Sequence, residues 1–331
     1  MKVRAADPLL PEDLAGVAAR ARVGLERVEQ ALAAAVSSAD PFVQEAASHL
    51  LDAGGKRFRP TLVLLAGHFG DSDEPRLVDV AVAIELTHLS TLYHDDVMDE
   101  AQVRRGIASA NAVYGNKLAI LTGDYLFARA SEVTARLGNE AVGVLAAAIS
   151  RMVEGQIRES RGPHRDQDPV EHYMAVLADK TGALIAAACR LGALLAGAPA
   201  AAVEALTEYG ERVGVAFQLG DDLLDIAGEP SVSGKAPGTD LLAGVRTLPV
   251  LFLLRRGGPE AERLARFLEG RDREALEPVL GMLRGSPAFD EARDAAHAEA
   301  ARAKAALARL RPGPARQALR EIADRVLQRS T

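Results

Sequence analysis

Residues 85–99 read ELTHLSTLYHDDVMD, a run with apolar residues at three- and four-residue spacing that ends in an acidic cluster. The spacing predicts a helix. Because positions i and i+4 lie one turn apart, Asp95 and Asp99 point the same way. Like charges so placed destabilise a helix, and its C-terminus is the unfavourable end of the dipole for carboxylates. The cluster therefore indicates a functional site, with a solvated acidic face as the alternative.

The same pattern, Asp-Asp-x-x-Asp, returns at residues 221–225 after a second apolar run at residues 213–219. Charges gathered at the ends of two apolar helices indicate the mouth of a cavity. Oxygen ligands of this kind suit Mg²⁺, which keeps several waters and binds carboxylates together with substrate phosphates. Zinc is a poor alternative, because Cys189 is the only cysteine and no His-x-x-x-His spacing occurs. Two such sets facing each other would hold Mg²⁺ ions that bridge a diphosphate.

Helical periodicity extends through most of the chain and predicts an all-α fold. A content of 4% aromatic residues, no Trp and no period-two segment argue against an all-β core. No repeat and no linker composition appears, so residues 1–331 are expected to form a single domain. The predicted helices are Leu14–Val36, Leu77–Asp99, Leu118–Leu137, Glu140–Ser160, Pro169–Ala196, Ala201–Ile226 and Ala295–Leu310.

Composition excludes several classes of protein. With 48% hydrophobic and 26% charged residues among 331, the chain is not disordered in bulk, and its net charge of −7 gives no general electrostatic reason to bind nucleic acid. The first 14 residues carry charges and no apolar segment, unlike a signal peptide. The longest apolar stretch, residues 182–203, is interrupted by Arg190, which argues against a membrane span. A cytoplasmic globular protein is expected.

Basic residues that could bind an anion accompany the acidic clusters. Residues 54–60 form a glycine-led turn with three cations, for which an exposed basic turn is the alternative interpretation. His88 lies two turns before Asp95 on about the same face, although a lone histidine is more often structural. The other basic segments are Arg104-Arg105-Gly106, Lys180-Thr181-Gly182 and the glycine-rich residues 234–240, which contain Lys235.

The order of these motifs, together with Phe-Gln-x-x before the second acidic cluster, resembles the trans-isoprenyl diphosphate synthase (polyprenyl synthetase) family of the medium- to long-chain bacterial type. The resemblance implies an isoprenoid-synthase-type helical barrel around a central apolar cavity and a homodimer. It also implies an Mg²⁺-dependent prenyltransferase that condenses isopentenyl diphosphate head to tail with an allylic diphosphate. No nucleic-acid partner is expected, and membrane contact is expected to be transient, during product release.

The resemblance also implies a role for each matching residue. The implied metal ligands are Asp95, Asp96, Asp99, Asp221, Asp222 and Asp225. The implied contacts of the allylic diphosphate are Arg104, Lys180 and Lys235, and those of isopentenyl diphosphate are Lys56, Arg59, His88 and Arg105. Thr181 and Gln218 match residues beside the reacting carbons. The chain departs from the family pattern at Arg246, where the family often has lysine.

The resemblance also implies that the product grows from the first acidic cluster towards the N-terminus of its helix, so that residues one turn before the cluster would limit its length. Short-chain members of the family commonly carry an aromatic residue at this level, whereas this chain has Ser90 and Thr91. A floor is expected from the facing helix at residues 125–131, where small residues at 128, 130 and 131 indicate a deep cavity. This predicts a product of about six to ten isoprene units.

Three alternatives remain open at this point. The first is a shorter-chain geranylgeranyl or farnesyl diphosphate synthase. The second is a class I terpene cyclase, against which Lys56, Arg59 and Arg105 argue, because a cyclase needs no second diphosphate site. The third is a non-catalytic subunit of a heteromeric synthase, which would be expected to have lost acidic residues that this chain retains.

Overall fold

The computed structural model of the chain describes residues 16–228 and 237–328, and most of these residues are helical. In its first half the helices are α1 (Val17–Ala35), α2 (Pro41–Asp52), α3 (Phe58–Gly67), α4 (Arg76–Met98), α5 (Ala110–Tyr114), α6 (Asn116–Ala135) and α7 (Asn139–Arg161). They continue as α8 (Pro169–Leu177), α9 (Ala183–Leu195), α10 (Ala200–Ala227), α11 (Thr239–Ala243), α12 (Leu248–Arg256), α13 (Gly258–Gly270), α14 (Leu276–Arg284), α15 (Pro287–Ala306) and α16 (Pro314–Gln328).

The all-α prediction is confirmed, and the predicted long helices agree with the observed ones to within a few residues, except two. Residues 14 and 15, where the first predicted helix begins, lie outside the described residues. A π-helical turn, Ala178–Gly182, divides the predicted helix at 169–196 into α8 and α9. The helix predicted from Ala295 begins instead at Pro287. Sequence reasoning also missed several shorter helices and one two-stranded antiparallel hairpin, β1 (Val103–Arg104) with β2 (Ile107–Ala108).

The chain forms two compact units. Among the described residues, the first unit comprises residues 16–149, 184–210 and 307–320, and the second comprises residues 150–183, 211–228, 237–306 and 321–328. The first acidic cluster belongs to the first unit and the second cluster to the second unit. A single domain over the whole chain stays a prediction.

In the first unit, α4 is the central helix, and every residue from Val80 to Thr87 is buried, so this part of the helix is enclosed on all sides. Tyr93 is fully buried on α4, and its hydroxyl donates to the carbonyl of Ala46 on α2 at 2.6 Å. Close helix packing depends on glycine at one point, because a Cβ on Gly192 of α9 would lie 2.4 Å from the carbonyl oxygen of Val63 on α3. The hydrogen bond of Tyr93 holds α4, which carries the first acidic cluster, against α2.

In the second unit, the N-terminus of α8 is capped by Asp168, whose carboxylate accepts a hydrogen bond from the amide of Val170 at 2.7 Å. Glu299 of α15 is buried and pairs with Arg212 of α10 and Arg302. Across the described residues of both units, no helix combines the length and hydropathy that crossing a membrane requires.

Candidate active site

The first acidic cluster closes α4, and its three carboxylates differ in exposure. Asp95 is half-buried, Asp96 is fully buried, and Asp99 is exposed at the residue that ends the helix. This difference follows from helix geometry, since i and i+4 share a face while i+1 is rotated by about 100°. Asp95 and Asp99 are therefore the accessible pair.

The carboxylate of Asp96 is bonded on one side only. Its Oδ1 accepts a hydrogen bond from Arg104 Nε at 2.6 Å, whereas its Oδ2 is buried and has no hydrogen-bond partner within the described ranges. Burial raises the pKa of Asp96, and the positive charge of Arg104 opposes that effect. An unsatisfied buried carboxylate oxygen next to two accessible carboxylates fits a cation with oxygen ligands such as Mg²⁺.

Arg104 and Arg105 lie on the β1–β2 hairpin, directly after the first cluster. Arg105 and Gly106 both have positive φ, 54° and 78°, as a type I′ turn requires. A left-handed conformation is unfavourable for arginine, and strain of this kind often marks functional positions. Arg105 Nη1 donates to the carbonyl of Leu50 at 2.9 Å, and so the guanidinium is held against α2.

The three cations at the start of α3 differ in their surroundings, and the middle one is held in ion pairs inside the protein. Arg57, at φ 49°, is buried and bonds Glu29 through Nε at 2.5 Å and Glu85 through Nη1 at 2.9 Å. Burial acts to lower the pKa of Arg57, but the two glutamates outweigh it and raise the pKa. Arg57 is thus a structural ion pair, whereas Lys56 is exposed and the pKa of Arg59 falls to about 10, chiefly through burial.

His88 lies on α4 among these arginines. Burial, followed by the charges of Arg59 and Arg105, lowers the pKa of His88 well below its ordinary value. The imidazole is therefore neutral near neutral pH, and one ring nitrogen can donate a hydrogen bond to a phosphate oxygen.

The proposed chain-length positions also lie on α4. The side chain of Ser90 is buried, and Thr91 is half-buried with its hydroxyl donating to the carbonyl of His88. On the predicted floor, Ala130 is buried but Ala128 and Ser131 are exposed. The argument from small residues is therefore wrong at positions 128 and 131, because the periodicity of α6 turns those side chains away from its buried face.

The second cluster repeats the pattern of the first in the second unit. Asp222 is buried and accepts hydrogen bonds from the hydroxyl of Tyr173 and from Gln218 Nε2, whereas Asp221 and Asp225 are half-buried. Burial raises the pKa of Asp222 to about 7, although the bond from Tyr173 acts in the opposite direction. Gln218 Oε1 also accepts a hydrogen bond from the hydroxyl of Thr181 at 3.2 Å, so three predicted residues form one network.

Asp225 holds the segment that follows the second cluster. Its two carboxylate oxygens accept hydrogen bonds from the amides of Thr239 and Asp240, each at 3.1 Å. Asp225 therefore anchors the start of α11. Lys235, predicted to contact the allylic diphosphate, lies outside the described residues.

Lys180 projects from the π-helical turn between α8 and α9. Its Nζ lies 2.5 Å from Glu159 Oε2 on α7. The turn is closely packed, since a Cβ on Gly155 of α7 would lie 2.9 Å from the amide nitrogen of Lys180. Single π-helical turns often occur at functional sites, and this one places an ammonium group and the hydroxyl of Thr181 in adjacent positions.

Sequence reasoning missed Tyr173, Glu159 and the two glutamates that bind Arg57. Most of these partners lie far along the sequence from the residues that they bind, and no motif spacing marks them. Glu85 is the exception, because a carboxylate inside an apolar helical run indicates a buried charge that needs a partner. Throughout residues 16–228 and 237–328, no three acidic, histidine or cysteine side chains meet as a complete metal site. An ion with few protein ligands relies on water and substrate oxygens for the others.

Comparison with known proteins gives consistent results. The family model described as polyprenyl synthetase matches residues 40–282. The chain is 47% identical over 315 residues to a nonaprenyl diphosphate synthase of Mycobacterium tuberculosis, covering 94% of each protein. It is 46% identical over 255 residues to heptaprenyl diphosphate synthase component 2 of Geobacillus stearothermophilus, covering 77% of this chain and 76% of that protein.

Solved structures give the same fold. A polyprenyl synthase from Caulobacter crescentus, complexed with calcium and isoprenyl diphosphate, superposes with a TM-score of 0.88 at 35% identity and covers 97% of this chain and 100% of that chain. A geranylgeranyl pyrophosphate synthase from Corynebacterium glutamicum, also with calcium and isoprenyl diphosphate, gives a TM-score of 0.84 at 43% identity and covers 94% and 96%. The isoprenoid-synthase fold is thereby confirmed.

Proposed function

The chain belongs to the polyprenyl synthetase family, and on this premise we propose that it condenses isopentenyl diphosphate head to tail with an allylic diphosphate to give a medium- to long-chain all-trans polyprenyl diphosphate. It is a prenyltransferase. The observation that carries the proposal is the repeated acidic motif, in which the outer carboxylates remain accessible while the middle one is buried and hydrogen-bonded. The similarity to a nonaprenyl diphosphate synthase supports the longer product.

Each cluster has its own role in the proposed reaction. Asp95 and Asp99, supported by Asp96, would bind metal on the allylic diphosphate, and Asp221 with its two neighbouring carboxylates would hold a further ion. We propose Mg²⁺, because the ligands are oxygens and the ion retains waters and substrate phosphates. When bound, the metal neutralises the negative charge that develops on the departing diphosphate.

The basic residues supply binding and orientation. The hydrogen bond from Arg104 to Asp96 fixes a guanidinium beside the first cluster, and Lys180 is assigned to the same diphosphate. Lys56, Arg59, His88 and Arg105 are assigned to isopentenyl diphosphate. Arg59 and Arg105 lie beside the neutral His88, so this group can hold the second substrate while its double bond attacks the allylic carbon. Thr181 and Gln218 are assigned positions beside the reacting carbons.

Incubation of the purified chain with labelled isopentenyl diphosphate, an allylic primer and Mg²⁺ tests the proposal. Elongated products are expected, and Asp95→Ala and Asp221→Ala are each expected to lose orders of magnitude in kcat. Asp294→Ala, a change at an exposed carboxylate of α15, is the matched control and should retain activity. Full activity in excess chelator would contradict the assignment of the metal.

The product length has one specific alternative. The 43% identity to a geranylgeranyl pyrophosphate synthase favours a shorter product as the second candidate. The two differ in the outcome of the same incubation under excess isopentenyl diphosphate: the longer-chain proposal requires products beyond the twenty-carbon chain, and a reaction that stops there supports the alternative.

We propose a homodimer located in the cytoplasm. The side chains of Leu118, Leu121 and Phe127 on α6 of the first unit are exposed, and apolar surface of this kind is typical of protein contacts. The similarity to a component of heptaprenyl diphosphate synthase makes a heteromeric assembly the alternative. Light scattering on the purified chain decides between them, since an active dimer of this chain alone excludes the need for a second component.

A further inference from the structure

One buried carboxylate in the first unit serves three guanidinium groups. Glu85 on α4 is 2% exposed, and its Oε1 lies 2.9 Å from Arg57 Nη1 and 4.0 Å from Arg105 Nη2. The negative charge of Glu85 also acts on Arg59, whose pKa it raises. A carboxylate inside an apolar helix is costly unless its charge is compensated, and here the compensation comes from arginines on a loop and on a hairpin.

The positive charge of Arg57 has a second counter-charge besides Glu85. Its Nε and Nη2 already bond the carboxylate of Glu29 at 2.5 and 3.2 Å. The charge of Glu85 is therefore available to Arg59 and Arg105. Arg59 needs such a partner most, because its Nε is buried and has no hydrogen-bond acceptor among the residues described.

Arg59 and Arg105 carry like charges that repel each other. Burial, opposed by Glu85 and reinforced by the charge of Arg105, lowers the pKa of Arg59 to about 10. A diphosphate would relieve this repulsion by bringing its own negative charge. Glu85 does the same from inside the protein, and so its carboxylate and a bound diphosphate act on the same two cations.

We propose that Glu85 is an internal counter-charge of the isopentenyl diphosphate subsite, which balances Arg59 and Arg105 while the subsite is empty and weakens diphosphate binding once it is filled. The inference rests on the proposed function, which assigns those two arginines to this substrate. Glu85 is a positioning residue here, since its charge acts on Arg59 and Arg105 and reaches the substrate only through them.

A limited affinity suits a reaction that uses a new isopentenyl diphosphate in every cycle. Binding energy that is equal in the ground state and the transition state lowers KM without raising kcat. A subsite with uncompensated arginines would retain diphosphate groups and become sensitive to inhibition by inorganic diphosphate. The counter-charge reduces this retention without removing the arginines that orient the substrate.

Glu85→Gln isolates the charge, because the side chain keeps its shape and its carbonyl oxygen still accepts a hydrogen bond from Arg57. The matched control is Glu29→Gln, which neutralises the other carboxylate on the same arginine. Binding of isopentenyl diphosphate is measured by calorimetry in EDTA, so that no divalent metal contributes. Glu85→Gln is expected to lower Kd roughly tenfold, since one charge at about 10 Å acts with this strength at an effective dielectric of about 20. Glu29→Gln should leave Kd unchanged.

A second variant keeps the test independent of the stability of the first. Glu85→Asp shortens the side chain by one methylene and so moves the negative charge away from the arginines. It is expected to lower the Kd of isopentenyl diphosphate about twofold to threefold. Kd values for both variants that equal or exceed that of the wild type overturn the inference, as does an equal effect of Glu29→Gln. Failure of the wild type to bind in EDTA overturns both the inference and the assignment of the subsite, whereas absence of prenyl transfer with intact binding overturns the proposed function alone.

Discussion

Replacing Arg57 by methionine is expected to remove a large part of the free energy of unfolding. Arg57 is 7% exposed and makes ion pairs with Glu29 of α1 and Glu85 of α4. Methionine fills similar space with an unbranched chain, and both residues would occupy the same left-handed backbone conformation. The substitution therefore removes the guanidinium and changes little else.

The magnitude follows from the burial of the two carboxylates. Glu29 has a side chain that is 42% exposed, so water can solvate it when Arg57 is lost. The side chain of Glu85 is 3% exposed and would remain as a buried charge without its closest partner. Breaking a buried pair in this way costs about 3–5 kcal/mol, compared with about 5–15 kcal/mol for the whole stability of a typical domain.

Equilibrium unfolding in urea, followed by far-UV circular dichroism, measures the loss. The double variant Arg57→Met/Glu85→Gln should recover part of it, because the buried carboxylate that lost its closest partner is then absent. Arg293→Met is the control: this arginine pairs with Asp290 at an exposed position on α15, and exposed pairs contribute at most about 1 kcal/mol.

Two results would refute this reasoning. The first is a loss for Arg57→Met no larger than that for Arg293→Met, which would mean that Glu85 is solvated. The second is a double variant as unstable as Arg57→Met, which would mean that the arginine stabilises the loop through packing instead of charge.

Three further outcomes are expected from the site. Lys180→Arg should lower kcat/KM at least about tenfold, because the planar guanidinium is larger than the ammonium group that lies beside Glu159 in the π-helical turn; unchanged kinetics would contradict this. Tyr173→Phe removes the hydroxyl that donates to Asp222, a bond to a charged group worth about 1.5–3 kcal/mol, and should raise the Mg²⁺ concentration for half-maximal activity about tenfold or more; an unaltered metal titration speaks against it. Ser90→Phe should shorten the product towards three or four isoprene units, because the aromatic ring would occupy space that the growing chain needs. Chromatography of the products measures this, and a length distribution equal to that of the wild type would refute the assignment of Ser90.

The helices that the sequence predicted share one property: each is long and carries a sustained apolar period. Helices such as α11, with five residues, and α14, with nine, are too short for periodicity to stand out from neighbouring turns. The β1–β2 hairpin was missed for a different reason: its turn has Arg105 at positive φ, where asparagine or glycine is usual.

The motifs identified the acidic and basic side chains of the candidate site. They did not identify the residues that pair with these side chains, and this pairing separates structural cations from those that can bind substrate. In the sequence Lys56, Arg57 and Arg59 are three cations of one turn. The fold brings Glu29 and Glu85, each 28 residues away in the sequence, into hydrogen-bonding contact with Arg57. Pairing over that separation depends on how helices pack, which local pattern does not encode.

The two acidic motifs assign the same role to the same position, although they lie in different units. In each, the middle carboxylate is buried and accepts a hydrogen bond from a neighbouring side chain: Asp96 from Arg104, and Asp222 from Tyr173 and Gln218. The helix imposes this division, because a residue one position after the first carboxylate is rotated by about 100° and points towards the packed side. The spacing Asp-Asp-x-x-Asp thus combines two accessible carboxylates for a metal with one buried carboxylate that orients the donors around it. A change at the middle position should therefore disturb those donors as well as the metal.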